Sequence, residues 1–204
     1  MKVKICGITN KEDALCCCQL GADALGFIFH QESIRYIDYA SAAEIIASLP
    51  SSVLSIGVFV NHTASQINMI SNIIGLNRVQ IYNNNPRFVE ELNKPAICAF
   101  RIYQDFDFTL VREIDHSQIL FDSFSDSSYG GEGRTFDWTL IPDNLKNKII
   151  LAGGVSAINI DFIFNKIHPA GVDLSSSVES SPGKKDHVKL ETFFNRLNRL
   201  RNEC

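Results

Sequence analysis

The 204-residue chain has no apolar run near the roughly 18 residues that would span a bilayer; its longest runs, such as Ala24 to Phe29 and Ile149 to Ala152, are far shorter. A transmembrane helix is therefore not expected. The first residues, Met1 to Gly7, carry no long apolar stretch of the secretory kind, so a cytoplasmic location is expected. No basic block is present either. With 19 Lys and Arg against 23 Asp and Glu the formal net charge is -4, which disfavours nucleic acid and anionic membrane as partners. The six cysteines lack the two-residue spacing of a metal knuckle, and three of them (Cys16, Cys17, Cys18) are consecutive, so neighbouring side chains on a helix diverge. No metal site is expected, and reduced thiols are the better reading of an unexported chain. Low-complexity segments, linkers and shifts of composition are also missing, which makes residues 1–204 read as a single domain.

What the chain does contain is a repeated alternation of short β-rich runs with helical patterns, the sign of βα units and a parallel sheet. The strand candidates are Val3 to Cys6, Ala24 to Phe29, Leu54 to Val60, Arg78 to Tyr82, Ala96 to Ile102, Gln118 to Asp122, Ile149 to Ala152 and Gly171 to Leu174. Helical spacing follows expected N-caps at Asn10, Ser41 and Thr63, and the last helix, capped near Asp186, carries Leu190, Phe193, Phe194 and Leu197 on one stripe. Around Leu110 and Val111 there is room for only a turn or two, so the fifth helix is expected to be abbreviated. Eight units in 204 residues is about 25 residues each, compact for a (β/α)8 TIM barrel of the α/β class, whose usual size is about 250. A doubly wound open sheet is the competitor. The turn after its first strand would carry G-x-G-x-x-G if it bound a dinucleotide, and this chain has Cys6-Gly7-Ile8-Thr9-Asn10 there.

Active sites of such barrels lie at the C-terminal ends of the strands. There the chain places Cys6 after strand one, Arg35 in the loop after strand two, Asp122 at the end of strand six, and two clusters, Gly153-Gly154 and Ser175-Ser176-Ser177, after strands seven and eight. Loops seven and eight are the recurrent phosphate site of these barrels, since closely spaced amides and hydroxyls can surround phosphate oxygens. Gly153-Gly154 also reads as a plain tight turn. Asp122 follows the apolar Ile119-Leu120-Phe121, a setting that would raise its pKa and let it hold a proton near neutrality; a capping or salt-bridging aspartate is the other reading. Cys6 as a base would need its thiolate, and otherwise reads as a small buried apolar residue. Arg35 suits a carboxylate by its planar fork, or is an ordinary surface charge.

At these same residues the chain resembles the phosphoribosylanthranilate isomerase family of tryptophan biosynthesis. The resemblance runs through Val3 to Asn10, Gly21 to Phe27, Arg35-Tyr36-Ile37, Gly57 to Asn61, Val79-Gln80, Asp122, Tyr129-Gly130-Gly131, Gly133 to Trp138, Gly153-Gly154, Val172-Asp173 and Pro182 to Asp186. It implies an enzyme, an aldose-ketose isomerase catalysing the Amadori rearrangement of N-(5-phosphoribosyl)anthranilate to 1-(2-carboxyphenylamino)-1-deoxy-D-ribulose 5-phosphate without a cofactor. It further implies Asp122 as general acid on the ribose ring oxygen, Cys6 as general base at C2, and Arg35 against the anthranilate carboxylate. Gln80, Gly131, Gly153, Gly154, Asp173, Ser175, Ser176 and Ser177 complete the implied substrate-binding set. The partner is then a small molecule, and a monomer is expected.

Three positions depart from the family pattern: Tyr82 where a histidine is usual, Ser177 where a glycine is usual, and Glu132 where a small hydroxyl residue is usual. They keep two alternatives in view. One is a catalytically weak or regulatory sugar-phosphate-binding barrel; the other is an isomerase or synthase acting on a neighbouring aminoaldose phosphate.

Overall fold

A computed structural model describes residues 1–103, 105–111, 114, 118–123 and 137–203. Eight parallel strands close into a barrel in sequence order: β1 (Lys2–Cys6), β2 (Ala24–Ile28), β3 (Leu54–Phe59), β4 (Arg78–Ile81), β5 (Ala96–Ile102), β6 (Ile119–Ser123), β7 (Ile149–Leu151) and β8 (Gly171–Leu174). The seam is made by β1 against β8, with Val3 opposite Val172 and Lys4 opposite Asp173. All eight expected strands are present, their ends agreeing with expectation to within one residue.

Period-two alternation sorts the side chains into two apolar layers. Val3, Ile5, Leu25, Phe27, Val79, Ile81, Phe121 and Val172 point outward and are buried with residues of the surrounding helices. Ala24, Ile56, Ile97, Ala99, Leu120 and Ala152 point inward and fill the barrel, with Ile150 and Tyr82 packed against them. Inner positions on β1, β4, β6 and β8 carry Lys4, Cys6, Gln80, Asp122 and Asp173, so the barrel's interior turns polar towards its C-terminal end.

The helices are α1 (Lys11–Leu20), α2 (Tyr39–Ala47), α3 (Ala64–Ile74), α4 (Pro86–Glu90), α5 (Asp143–Lys146), α6 (Ile160–Phe162), which continues as a π-helix over Ile163–Ile167, and α7 (His187–Asn202). Asn10 caps α1, accepting from the Asp13 amide, and Thr63 caps α3 in a reciprocal capping box with Gln66. The start of α2 differs from expectation. Asp38 is its N-cap and accepts from the Ser41 amide, so the helix begins earlier than a Ser41 cap would allow. An aspartate in extended backbone three residues ahead is an equally good acceptor for that amide.

Among the described residues, the β5-to-β6 connection carries a 3-10 turn, Phe108–Val111, and no full helix, as expected. Economy extends further than that one unit. Helices α4 and α5 span only five and four residues, so the chain saves length in several βα units. Between β8 and α7 lies an antiparallel hairpin that periodicity did not announce, β9 (Glu179–Ser181) and β10 (Lys184–Lys185). It is too short and polar to show an alternating apolar face. Among the described residues no helix is long and apolar enough to cross a membrane.

Candidate active site

The C-terminal mouth of the barrel opens into a pocket that brings together Cys6, Arg35, Gln80, Asp122, Gly153, Gly154, Asp173 and Ser175 to Ser177. Ten of the eleven expected site residues thus share one cavity. The eleventh, Gly131, lies outside the described residues, as does Glu132. Residues from six strand ends or loops converge because each inner-face position at a strand's C-terminal end points at the same axis.

At the floor, Lys4 donates from Nζ to Asp173 Oδ2 at 2.7 Å, and both side chains are buried. Burial works against the Lys4 ammonium, yet Asp173 and Cys6 more than offset it and raise its pKa, so the lysine stays charged. Cys6 sits beside this pair. A Cβ added to Gly26 on the neighbouring strand would lie 2.8 Å from Cys6 Sγ and 3.1 Å from Lys4 Nζ, so glycine at position 26 is what allows thiol and ammonium to occupy that side of the barrel. Burial pushes the Cys6 thiol up, Lys4 pulls it down, Asp173 pushes it up, and the net direction is upward. A resting thiol with a cation beside it is the outcome.

Asp122 is half-buried at the end of β6 and accepts from the Ser123 amide at 2.9 Å. Desolvation, with repulsion from Asp173, outweighs that bond and the Lys4 and Arg101 cations and raises its pKa to about 6. The apolar run before it does what the sequence suggests: it takes water away from the carboxyl.

Arg35 is where position and contact diverge from the simplest expectation. It lines the pocket, but its Nε and Nη2 donate to Glu179 at 2.8 to 3.0 Å, and both side chains are buried. Glu179 in turn accepts from Lys185 Nζ at 2.8 Å, and that same ammonium donates to the Cys6 carbonyl at 2.6 Å. Burial pushes the Glu179 carboxyl up, but Arg35 and Lys185 together outweigh it and hold it below the usual range. The Lys185 amide donates to Asp13, which also meets His187 Nε2 at 2.8 Å. Glycine is needed close by: Gly7 has φ +76°, and a Cβ there would lie 2.7 Å from Arg35 Cδ.

Sequence reasoning passed over Lys4, Glu179 and Lys185. Lys4 sits at an inner-face position of β1 two residues before Cys6, and that spacing is the signal that would have found it. Glu179 and Lys185 belong to the unannounced hairpin; Lys185 lies in the Pro182 to Asp186 stretch of the resemblance, but no periodicity assigns either residue a place in the site.

In the loop after β7, Gly153 and Gly154 have φ +78° and +76°, and a Cβ on Gly153 would come within 2.6 Å of the Ser123 amide nitrogen. Both glycines are therefore dictated by backbone as well as by any ligand. Asn159 fixes the turn, donating to the Gly154 carbonyl at 2.8 Å and accepting from the Ser156 amide. Ser176–Val178 form a single 3-10 turn. Ser177 is absent from the positive-φ residues, so its Cβ is accommodated without strain, and its buried Oγ has no hydrogen-bond partner among the described residues. The departure from glycine therefore leaves this loop's backbone geometry intact.

Among the described residues, no group of three or more His, Cys, Asp and Glu side chains could hold a metal ion, and the described cysteines are free thiols.

Comparison with known proteins is consistent over the whole length. The family model for N-(5'-phosphoribosyl)anthranilate (PRA) isomerase matches residues 3–196. An N-(5'-phosphoribosyl)anthranilate isomerase from Pelobacter propionicus is 42% identical over 205 residues, covering 100% of this chain and 98% of that protein. The crystal structure of phosphoribosyl anthranilate isomerase from Thermotoga maritima superposes with a TM-score of 0.89 at 36% identity, covering 98% of this chain and 99% of that one. A further isomerase structure, solved in complex with reduced 1-(o-carboxyphenylamino)-1-deoxyribulose 5-phosphate, gives a TM-score of 0.79 at 32% identity over 98% and 99%. The barrel, its mouth and these similarities agree, and the chain belongs to the N-(5'-phosphoribosyl)anthranilate isomerase family.

Proposed function

We propose that this protein catalyses the Amadori rearrangement of N-(5-phosphoribosyl)anthranilate to 1-(2-carboxyphenylamino)-1-deoxy-D-ribulose 5-phosphate in tryptophan biosynthesis, with Asp122 as general acid and Cys6 as general base. The observation that carries the assignment of roles is the pairing, at one barrel mouth, of a carboxyl whose pKa is raised to about 6 with a thiol flanked by a buried ammonium. Paired titratable groups with divergent environments are how one site performs acid and base steps at a single pH.

In the first step Asp122 gives its proton to the ribose ring oxygen as the C1–O bond breaks, and the anilino nitrogen's lone pair forms the C1 iminium. The iminium acidifies the C2 proton, and Cys6, once its own proton has passed to solvent, removes it as thiolate; the C2–H electrons form the C1–C2 double bond of the enolamine as the iminium nitrogen regains its lone pair, and tautomerisation gives the ketone. The cation created at C1 lowers the cost of ionising the thiol at the moment the base is needed. Lys4 supports that thiolate from the other side.

Arg35 supplies positive charge for the anthranilate carboxylate. Its Nε–Nη2 edge is held by Glu179, which leaves Nη1 for the ligand. Gly153, Gly154 and Ser175 to Ser177 hold the phosphate, while Gln80 and Asp173 line the reacting centre. Two observations support this division. Gln80 Oε1 and Asp173 Oδ1 are buried with no partner among the described residues, as expected of groups that await a polyhydroxylated ligand.

The test supplies freshly generated phosphoribosylanthranilate and follows the loss of anthranilate-type fluorescence. Cys6→Ala and Asp122→Asn are each expected to lower turnover more than about 100-fold. Full activity in either variant overturns that residue's role, and no decay above background with the unaltered protein overturns the reaction.

A further inference from the structure

Tyr82 is the pocket residue to which the reaction above assigns no part. It follows β4 directly, lines the same mouth as Cys6 and Asp122, and stands on the inner face two residues after Gln80. The Arg101 guanidinium carbon lies 5.3 Å from its ring centroid, a cation–π contact that holds the ring in place across the β4–β5 edge. Its hydroxyl makes no hydrogen bond to any described residue. Gln80, on the same face, is almost fully buried with its carbonyl oxygen also unpartnered. The inner face of β4 therefore presents two polar groups to the cavity.

Topology says which part of a ligand would meet them. In a closed eight-stranded barrel taken in sequence order, β4 stands opposite β8 and β3 opposite β7. A substrate whose phosphate rests on the loops after β7 and β8, and whose C1 and C2 lie between Cys6 on β1 and Asp122 on β6, has its far end directed at β3 and β4. Arg35, from the loop after β2, lines the same mouth, but the Nε–Nη2 edge of its fork is committed to Glu179. A carboxylate there has acceptor capacity that Arg35 alone does not fill.

We propose that Tyr82 is a specificity residue for the aryl carboxylate of the substrate, its hydroxyl donating a hydrogen bond to that carboxylate alongside Arg35. This inference rests on the reaction proposed above. Desolvation, reinforced by Asp122, Cys6 and Asp173, pushes the phenol well above its ordinary pKa, so it is a neutral donor at any working pH. A neutral donor can bind an anion without adding a second cation close to the Asp122 carboxyl, whose proton a cation would help to remove.

The test measures binding of two compounds by calorimetric titration: the reduced product analogue 1-(o-carboxyphenylamino)-1-deoxyribulose 5-phosphate, and its counterpart with phenyl in place of carboxyphenyl. Tyr82→Phe is expected to weaken the carboxylate-bearing compound at least about 10-fold, as losing a hydrogen bond to a charged group does. It should leave the phenyl compound's affinity unchanged, and with substrate it should raise KM far more than it lowers kcat. A merely structural role would weaken both compounds alike, and that result, or no loss for either, overturns the inference. If the unaltered protein neither binds the carboxylate-bearing analogue nor converts phosphoribosylanthranilate, the proposed reaction fails and this inference with it. If it does both while Tyr82→Phe changes nothing, only the inference fails.

Discussion

A carboxyl group that holds its proton towards neutrality is kept from its preferred charged form, and the rest of the protein bears the cost. For Asp122 the pKa rises from the ordinary aspartate value to about 6 because water is withdrawn and Asp173 lies near. A raised folded-state pKa means stability is fully present below the unfolded value of about 3.9 and is lost as pH rises through 6. Asp122→Asn should therefore be more thermostable than the parent at pH 8, and its advantage should shrink by about half at pH 5, as read from melting temperatures across that range. An advantage that is independent of pH would mean that ionisation is not what destabilises the parent. Its raised pKa was legible because an apolar run ending in aspartate at a strand end takes water away from the carboxyl. Cys6 was legible by position alone. Lys4 was not, because a lysine inside a five-residue strand reads as a solvent-facing charge until the barrel closes and places Asp173 2.7 Å away on the far side of the seam.

Strands and long helices were open to reading because each repeats a pattern: period two, or a stripe behind an N-cap. The hairpin β9–β10 has no pattern to repeat, and its reason for forming is the buried charge it carries. Glu179 holds Arg35 on one side and Lys185 on the other, and Lys185 reaches across to the Cys6 carbonyl. Removing the carboxylate strands two buried cations, so Glu179→Ala should cost about 3 to 5 kcal/mol, seen as a lower urea midpoint with an unchanged slope. Since the Glu179 pKa is lowered in the folded state, its contribution is present above the unfolded value near 4.3 and drains away as pH falls, so the penalty should narrow in acid. A midpoint that does not move would mean that Arg35 and Lys185 find other partners at no cost. The same network explains why Arg35 could be assigned to the mouth from sequence while its main contact could not: the partner lies 144 residues away, in an element without a sequence signature.

For the whole molecule, the expectation of one domain becomes a statement about cooperativity. The strands form a single closed ring, and α7 packs Leu190, Phe193, Phe194 and Leu197 into the shell that also buries Val3 and Ile5 of β1. No stretch of strand can leave without opening the ring. Trp138, the one tryptophan, is buried in that shell, so its fluorescence and far-UV circular dichroism should report one coincident urea transition. Two separated transitions would divide the chain into independent units. The short chain length foretold economy but not its extent: one abbreviated helix was expected, and the structure trims α4 and α5 as well, because a shell helix needs only enough apolar side chains to cover its own strand. Residues 173 to 185 show what such economy does to inheritance. That stretch supplies the partner of Lys4, the serines of the loop after β8, the carboxylate that braces Arg35 and the ammonium that grips the end of β1. Grip and brace thus lie together in one short stretch, so a single insertion or deletion within it would disturb the barrel seam, Arg35 and the end of β1 at once.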